Sequence, residues 1–220
     1  PARSIFHLPN GSDVDVLKPL PQDEARRRLG WPLDAPVIGY IGAIFRRDAE
    51  LMAQAFDGIR QREPRARLLL AGYCNIDVER LMAEPGVVIR SGPIDYGQVS
   101  LYLSACDVCW LPLCDSGANR GRFPLKLNDY MAVGRPVVAT AVGDVPALVQ
   151  RGGFGVVCGD EPAALAESVL TLLSDRAGRE ALGRRGRALA EGEFRWEQIA
   201  DRLAGFYQHV LSGNFASNQD

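Results

Sequence analysis

Short apolar runs of four to six residues alternate with longer amphipathic stretches along most of the chain. Runs this short, rich in valine and isoleucine, are typical of buried strands, and the stretches between them carry apolar residues at helical spacing. The six predicted strands are residues 37–42, 67–71, 87–90, 108–111, 136–140 and 155–158. Strands that alternate with helices form a parallel sheet with both faces covered. The sequence therefore predicts an α/β fold with a Rossmann-like, doubly wound parallel sheet of about six strands.

Helices are predicted wherever apolar residues recur every three or four positions. The predicted helices are residues 48–62, 78–83, 96–105, 124–133, 161–174, 176–191 and 195–211. The last three follow one another without a strand, so we expect C-terminal helices packed beside the sheet. Ligands of a doubly wound sheet bind at the carboxyl ends of its strands, and the loops there are the places to look for a site.

The ends of the sequence differ from its middle. Residues 1–20 contain three prolines and an Asn-Gly turn, and we interpret them as a connecting segment between domains rather than a core element. The N-terminus lacks a methionine and an apolar signal core, so we expect the sequence to begin within a longer protein. Residues 21–192 are predicted to form the main domain, residues 193–211 a closing helix, and residues 212–220 a disordered tail.

Charge and cysteine usage exclude several classes of protein. A net charge of -2 gives no basic bias for nucleic acid, and no run approaches the length of a membrane span. Cys106 and Cys109 have the spacing of a zinc or redox pair, but no second pair or histidine partner accompanies them. We interpret them as small apolar residues of a buried strand. We expect no bound metal and a reducing, cytoplasmic compartment.

The segment from Asn119 to Asp129 is the strongest candidate site. It follows a predicted strand and opens a predicted helix, so free amides and the positive end of the helix dipole face the ligand side of the sheet. Arg120, Arg122 and Lys126 place three cations within seven residues, which suits a diphosphate. Asp129 can accept hydrogen bonds from a ribose diol. A solvated charged loop before an ordinary helix explains the same residues equally well on spacing alone.

The turn after the first predicted strand is a second candidate. Gly42 would let a phosphate approach the backbone, and Arg46 and Arg47 could neutralise its charge. The turn lacks the G-x-G-x-x-G pattern of nicotinamide-binding proteins and the lysine-containing P-loop of ATPases. For this turn taken alone, a plain strand–turn–helix corner is the favoured interpretation.

Four stretches together resemble glycosyltransferase family 4, the group 1 glycosyltransferases of the GT-B fold. Residues 9–13 read P-N-G-S-D, and residues 124–140 are similar to the signature P-x-K-x-x-E-Y-M-A-x-G-x-P-V-V-A. Residues 143–146 resemble the turn that follows this signature. Residues 194–196 resemble the F-S-W that opens the closing helix. The resemblance implies that the chain is the C-terminal, donor-binding half of a GT-B enzyme.

This resemblance assigns roles to the candidate residues. Asp129 stands where a glutamate usually holds the ribose hydroxyls, and the backbone at Pro124, Leu125 and Lys126 would face the diphosphate. The predicted nucleobase loop is Gly92, Pro93 and Ile94. The residues expected to act on the departing diphosphate are Arg46, Arg122 and Lys126. The further donor-binding candidates are Gly42, Ala43, Arg47, Asn119 and Arg120.

The sequence departs from the family pattern at the diphosphate. Gly121 replaces a glutamate that positions the transferred sugar, and Ala43 replaces an arginine after the first strand. The lysine of the usual K-G pair is missing. Arg46, Arg47, Arg120 and Arg122 are the candidate replacements for these cations.

The reaction implied by the resemblance is retaining transfer of a sugar from a UDP- or GDP-sugar to a glycan or lipid-linked acceptor, without a cofactor. The acceptor would bind a second domain, so we expect this chain alone to bind the donor and to transfer nothing. Two alternatives stay open: a non-catalytic nucleotide-sugar-binding domain, and another GT-B enzyme such as a sugar-nucleotide epimerase or a phosphorylase. The charged helix at 176–191 leaves open a peripheral membrane contact or a solvated face.

Overall fold

A computed structural model describes residues 6–212 of the chain, and its centre is a six-stranded, fully parallel sheet. The strands are β1 (Val37–Ile41), β2 (Arg67–Ala71), β3 (Val88–Gly92), β4 (Val108–Leu111), β5 (Val137–Thr140) and β6 (Gly155–Cys158). Their order is β3-β2-β1-β4-β5-β6. The chain thus winds outward in one direction, returns to the centre and winds outward in the other. This order confirms the predicted doubly wound, Rossmann-like fold and places the strand reversal between β1 and β4.

Helices connect the strands and extend beyond the sheet. The α-helices are α1 (Gln22–Leu29), α2 (Arg46–Arg62), α3 (Val99–Ser104), α4 (Gly117–Arg120), α5 (Lys126–Ala132), α6 (Val145–Gly152), α7 (Pro162–Ser174), α8 (Arg176–Glu191) and α9 (Trp196–Leu211). Two 3₁₀ turns lie at Val78–Leu81 and Tyr96–Gln98. The pattern missed α1, α4 and α6, which have eight, four and eight residues.

Helix α5 begins two residues later than predicted. Pro124 and Leu125 form a tight turn instead, in which the amides of Leu127 and Asn128 donate to their carbonyls at 3.0 and 2.9 Å. Within residues 6–212, the amide of Lys126 donates to no backbone carbonyl. The helix therefore opens with an unused backbone donor at its positive end.

Two apolar layers flank the sheet, because successive strand residues point to opposite faces. One layer contains the apolar faces of α2 and α7, and the other contains those of α3, α5, α6 and α8. Trp110 of β4 is fully buried against Phe56 of α2, with their rings edge to face at 6.3 Å. Cys106 and Cys109 are buried free thiols in the second layer. This confirms their interpretation as apolar filler, and burial raises the pKa of Cys109.

The connecting segment is more firmly built into the domain than expected. Val14 and Leu17 are 2% and 0% exposed and belong to the same apolar layer as α5, so the prediction that residues 1–20 contribute no core element was wrong. The prolines and the Asn-Gly turn of this segment are typical of loops, so the local pattern gave no indication that Val14 and Leu17, three positions apart, are buried. Residues 1–5 and 213–220, including most of the predicted tail, lie outside the described residues.

The same segment also holds the closing helix. The amide of Ser12 donates to the carbonyl of Phe194, and Gly11 lies flat against the indole ring of Trp196. A Cβ atom at Gly11 would stand 2.4 Å from that ring, so glycine is needed for the close approach. Two of the stretches that carry the family resemblance are therefore in direct contact.

Candidate active site

The candidate site lies at the carboxyl ends of β1 and β4, where the strand order reverses. Gly42 ends β1 with a positive φ of 78°, which turns the chain sharply toward α2. The carbonyl of the next residue, Ala43, points to the first turn of α5 and accepts a hydrogen bond from Lys126 Nζ at 3.1 Å. The loop after β1 and the start of α5, which the sequence analysis treated as two separate candidates, are thus in direct contact.

Lys126 is enclosed by Tyr40 of β1. Its Nζ donates to the Tyr40 hydroxyl and lies 3.8 Å from the centre of the Tyr40 ring. The hydroxyl in turn donates to Ala43 O at 2.8 Å. Burial, together with the nearby guanidinium of Arg122, lowers the pKa of Lys126 to about 7. The amine therefore sits near its midpoint of protonation at neutral pH and can gain a full charge when an anion binds.

Arg122 is held in place by three groups. Its Nε donates to Asn119 Oδ1 at 2.9 Å, and its Nη2 donates to Asp48 Oδ2 at 3.3 Å. The guanidinium carbon lies 4.4 Å from the centre of the Phe45 ring, in a cation–π contact. The Arg122 side chain stays 32% exposed. Its other N–H groups have no hydrogen-bond partner among residues 6–212, and its charge influences the Lys126 amine.

Asp48 is the buried anion of the site, and the sequence analysis missed it. It is 1% exposed, in the first turn of α2. Its Oδ1 accepts from the amide of Cys114 at 2.8 Å and from Asn119 Nδ2 at 2.9 Å. An acid in the first turn of a helix is common, because it complements the helix dipole, so the local pattern gave no reason to single it out.

Asn119 is turned inward. Besides its bond to Asp48, its Nδ2 donates to the carbonyl of Cys114 at 2.9 Å, and its Oδ1 accepts from Arg122. All the hydrogen-bonding groups of this side chain are therefore used within the protein. Its side chain supports Arg122, whereas the sequence analysis predicted that it contacts the donor.

Asp129 lies one turn of α5 after Lys126 and is paired with Tyr96. The Tyr96 hydroxyl donates to Asp129 Oδ1 at 3.3 Å. Burial raises the pKa of Asp129 to about 6, against the opposing effects of the Tyr96 hydrogen bond and Lys126. The carboxylate is thus mostly ionised at pH 7 and can accept hydrogen bonds from a diol. Tyr96 was not predicted, because its contact crosses 33 residues of sequence.

The predicted nucleobase loop borders a small cavity. Gly92 ends β3 with a φ of 66°, and Gly92 and Pro93 contribute to a cavity of 160 Å³ beside Tyr73 and Cys74. Ile94 packs against the apolar core instead. Two larger cavities of 560 and 540 Å³ lie around Asp107, at the amino ends of the strands. They contain none of the predicted site residues. We place the site at the carboxyl ends, where ligands of this sheet topology bind.

Three predicted cations lie apart from this cluster. Arg46 pairs with Glu50 at 2.7 Å, Arg120 pairs with Asp115, and Arg46 and Arg120 are each 65% exposed. Arg47 is exposed in the first turn of α2. The structure therefore brings together Arg122, Lys126 and Asp129 and leaves the other arginines on the surrounding surface.

The predicted turn residues take fixed places around the cluster. Pro124 is buried, and Leu125 is 57% exposed at the opening of α5. Gly121 ends α4 and offers no side chain to a ligand. Among residues 6–212, no three His, Cys, Asp or Glu side chains form a group that could hold a metal ion. In the same part of the chain, every helix is too short or too polar to cross a membrane.

Comparison with known proteins identifies the family. The model for "Glycosyl transferases group 1" matches residues 35–175. A GDP-mannose-dependent monoacylated alpha-(1-6)-phosphatidylinositol monomannoside mannosyltransferase of Corynebacterium glutamicum is 29% identical over 211 residues, which are 92% of this chain and 55% of that protein. A D-inositol 3-phosphate glycosyltransferase of Thermobispora bispora is 31% identical over 227 residues, covering 96% of this chain and 52% of that protein.

A solved structure agrees with these relatives. Sucrose-phosphate synthase from Thermosynechococcus elongatus superposes with a TM-score of 0.77 at 26% identity, over 94% of this chain and 52% of that one. The chain thus spans about half the length of the relatives it matches. With its six-stranded doubly wound sheet and a family match over more than half its length, the chain belongs to the group 1 glycosyltransferases of the GT-B fold class.

Proposed function

We propose that this chain is the donor-binding part of a retaining glycosyltransferase that transfers a sugar from a nucleotide-diphosphate donor to an acceptor hydroxyl in glycan or glycolipid synthesis. The observation that carries the proposal is the convergence of Arg122 and Lys126 at the opening of α5, with Asp129 one turn away. Two adjacent cations beside a carboxylate match a diphosphate next to a ribose.

The donor would lie across the carboxyl ends of the strands. Its diphosphate would contact the free amide of Lys126, the Lys126 amine and those Arg122 donors that have no partner among residues 6–212. Its ribose diol would donate to Asp129 and displace the hydrogen bond from the Tyr96 hydroxyl. Its nucleobase would enter the cavity beside Gly92 and Pro93. These subsites lie outside the carboxyl ends of the strands, around the point where the strand order reverses, which is where ligands of such sheets bind.

The same groups would assist the chemical step. When the glycosidic bond breaks, negative charge grows on the departing diphosphate. Arg122 and the start of α5 are already oriented by Asn119, Asp48 and the protein backbone, so they can stabilise this charge without rearranging. An acceptor hydroxyl then forms the new bond to the anomeric carbon and passes its proton to the departing diphosphate, with retention as the family resemblance implies.

The acceptor and the compartment are further parts of the proposal. The relatives named above act on a phosphatidylinositol mannoside or on inositol 3-phosphate, and we propose a glycan or lipid-linked acceptor here. It would bind the half of the protein that this chain does not include. We place the reaction in the cytoplasm, with a peripheral membrane contact if the acceptor is lipid-linked.

Calorimetric titration of the intact protein with GDP-mannose and UDP-glucose tests donor binding. We expect Arg122→Gln to weaken binding of the preferred donor by about 10- to 100-fold, because it removes hydrogen bonds from a charged group. The matched control is Arg120→Gln, an exposed arginine paired with Asp115, which should leave binding unchanged. Equal effects of the two variants, or no binding of either donor at millimolar concentration, would contradict the proposal.

Turnover tests the reaction class. Incubation of the intact protein with the bound donor and a set of glycan and lipid-linked acceptors should release the nucleoside diphosphate and form a glycoside with the donor's anomeric configuration, read by NMR. Donor binding without transfer to any acceptor would favour the non-catalytic alternative. Interconversion of the donor sugar without an acceptor would favour an epimerase.

A further inference from the structure

We propose that Asp48 is a positioning residue that fixes the Arg122 guanidinium in the orientation needed at the diphosphate. This inference rests on the proposed function, because it gives Arg122 a ligand. The evidence for it comes from the contacts of Asp48, from the uneven exposure of the ion pair and from the proximity of Lys126.

The contacts of Asp48 join three segments of the chain. Its carboxylate, in α2, accepts hydrogen bonds from the amide of Cys114 after β4, from Asn119 in α4 and from Arg122 before α5. Asn119 then passes the constraint on, because its Oδ1 accepts from Arg122 Nε. The guanidinium is thus held along one edge by two acceptors that are themselves fixed, and its orientation is set before any ligand arrives.

The exposure of the pair differs from that of a purely structural ion pair. The Asp48 side chain is 2% exposed, whereas that of Arg122 is 32% exposed. Arg26 and Asp107 form an ion pair at the amino ends of the strands, and there both side chains are enclosed, with exposures of 3% and 10%. Arg122 makes two side-chain hydrogen bonds within residues 6–212, so three of its five N–H groups are left for a ligand. A buried carboxylate that holds a partly exposed guanidinium with free N–H groups is the arrangement expected of a residue that positions the guanidinium for a ligand.

The charge of Asp48 also reaches Lys126. Arg122 lowers the pKa of the Lys126 amine, and Asp48 raises it. Asp48 therefore offsets part of the repulsion between two cations that must lie side by side to bind one diphosphate. Removing its charge should both loosen Arg122 and make Lys126 harder to protonate, and these two effects have different experimental signatures.

The test compares Asp48→Asn and Asp48→Glu with wild type in the intact protein. For Asp48→Asn we expect kcat to fall by about 100-fold, because Arg122 no longer meets the leaving group in its fixed orientation. We expect the donor KM to change by less than about threefold, since Arg122 keeps its charge near the site. The alkaline limb of kcat/KM should move to lower pH, because the pKa of Lys126 falls. Asp48→Glu keeps the charge but displaces the guanidinium, so it should lower kcat and leave the alkaline limb in place.

Asp107→Asn is the matched control. It also removes one charge from a buried arginine pair, but at the edge of the sheet away from the site, so it should lower the thermal midpoint without changing kcat or the pH profile. The inference is overturned if Asp48→Asn behaves like this control, with reduced stability alone. If Asp48→Asn fails to fold, an unchanged kcat in Asp48→Glu overturns it. Failure of wild type to bind any nucleotide sugar would instead refute the proposed function.

Discussion

Donor binding should draw a proton onto Lys126. In the free protein its pKa is about 7, because the amine is buried against Tyr40 and lies beside Arg122. A diphosphate charge placed about 4 Å from the amine, at an effective dielectric constant of about 20, contributes about 4 kcal/mol. That energy corresponds to a shift of about 3 pKa units, so the pKa of Lys126 in the complex should be about 10.

The expected proton uptake follows directly from these two pKa values. At pH 7 the free amine is half protonated and the bound amine fully so, which gives an uptake of about 0.5 proton per donor. The uptake rises to about 0.9 at pH 8 and falls to about 0.1 at pH 6. Because the free state loses its proton first, donor affinity declines as pH rises through 7. The total loss between pH 7 and pH 9 should be about 45-fold.

Calorimetry in buffers of different ionisation enthalpy measures this uptake, since the observed heat then varies linearly with the buffer enthalpy. A nucleotide sugar is a better ligand for this measurement than a free nucleoside diphosphate, because its diphosphate diester does not titrate near neutral pH. The measurement belongs at pH 7.5 to 8, where Asp129, with a pKa of about 6, is already ionised. Lys126→Met is the control and should show no uptake and a nearly constant affinity between pH 7 and pH 9. Wild type that binds the donor at pH 8 without proton uptake would refute this account of Lys126.

Three further predictions follow from contacts around the site. Tyr96→Phe should tighten nucleotide binding by about fivefold in a titration, because the ribose no longer displaces a hydrogen bond worth about 1 kcal/mol from Asp129; weaker binding would mean that the Tyr96 hydroxyl contacts the donor itself. Gly11→Ala should lower the free energy of unfolding in urea by about 1–3 kcal/mol, since its Cβ would meet the Trp196 ring at 2.4 Å. An unchanged urea midpoint would show that the Trp196 ring can move away without loss of stability. The folded pKa of Lys126 lies below its unfolded value of 10.5, so the unfolded state binds more protons between pH 7 and pH 10 and wild type gains stability as pH rises. Relative to Lys126→Met, this gain from pH 7 to pH 9 should be about 2 kcal/mol in urea unfolding, and parallel pH profiles would contradict it.

The sheet could be predicted because its signal is local. Each strand is a short apolar run, and the predicted bounds of β2, β4 and β6 agree with the structure. Three of the short helices, α1, α4 and α6, were not predicted in this way. For example, α4 has four residues, and it forms because the Ser116 side chain accepts from the amide of Asn119 at 3.2 Å while the loop around it is packed.

The part of the site on α5 was accessible from the sequence, and the part that supports it was not. Lys126 and Asp129 lie at the opening of one helix, so their proximity follows from helical geometry. Tyr40, Asp48 and Tyr96 reach the same place from other segments, through contacts that span 33 to 86 residues. A local pattern holds no information on such contacts, and it cannot distinguish a buried carboxylate from an exposed one.

The arginines show what the local pattern does contain. Counting cations placed Arg46, Arg120 and Arg122 together at the diphosphate, yet Arg46 and Arg120 pair with acids four and five residues away. Glu50 stands at the i+4 spacing that favours such a pair on a helix. Arg122 has no acid within six residues in either direction. Its partner has to come from a distant segment, where the fold supplies Asp48. An arginine without a local acid, next to the opening of a helix, is therefore a better indicator of an anion site than the number of arginines in the loop.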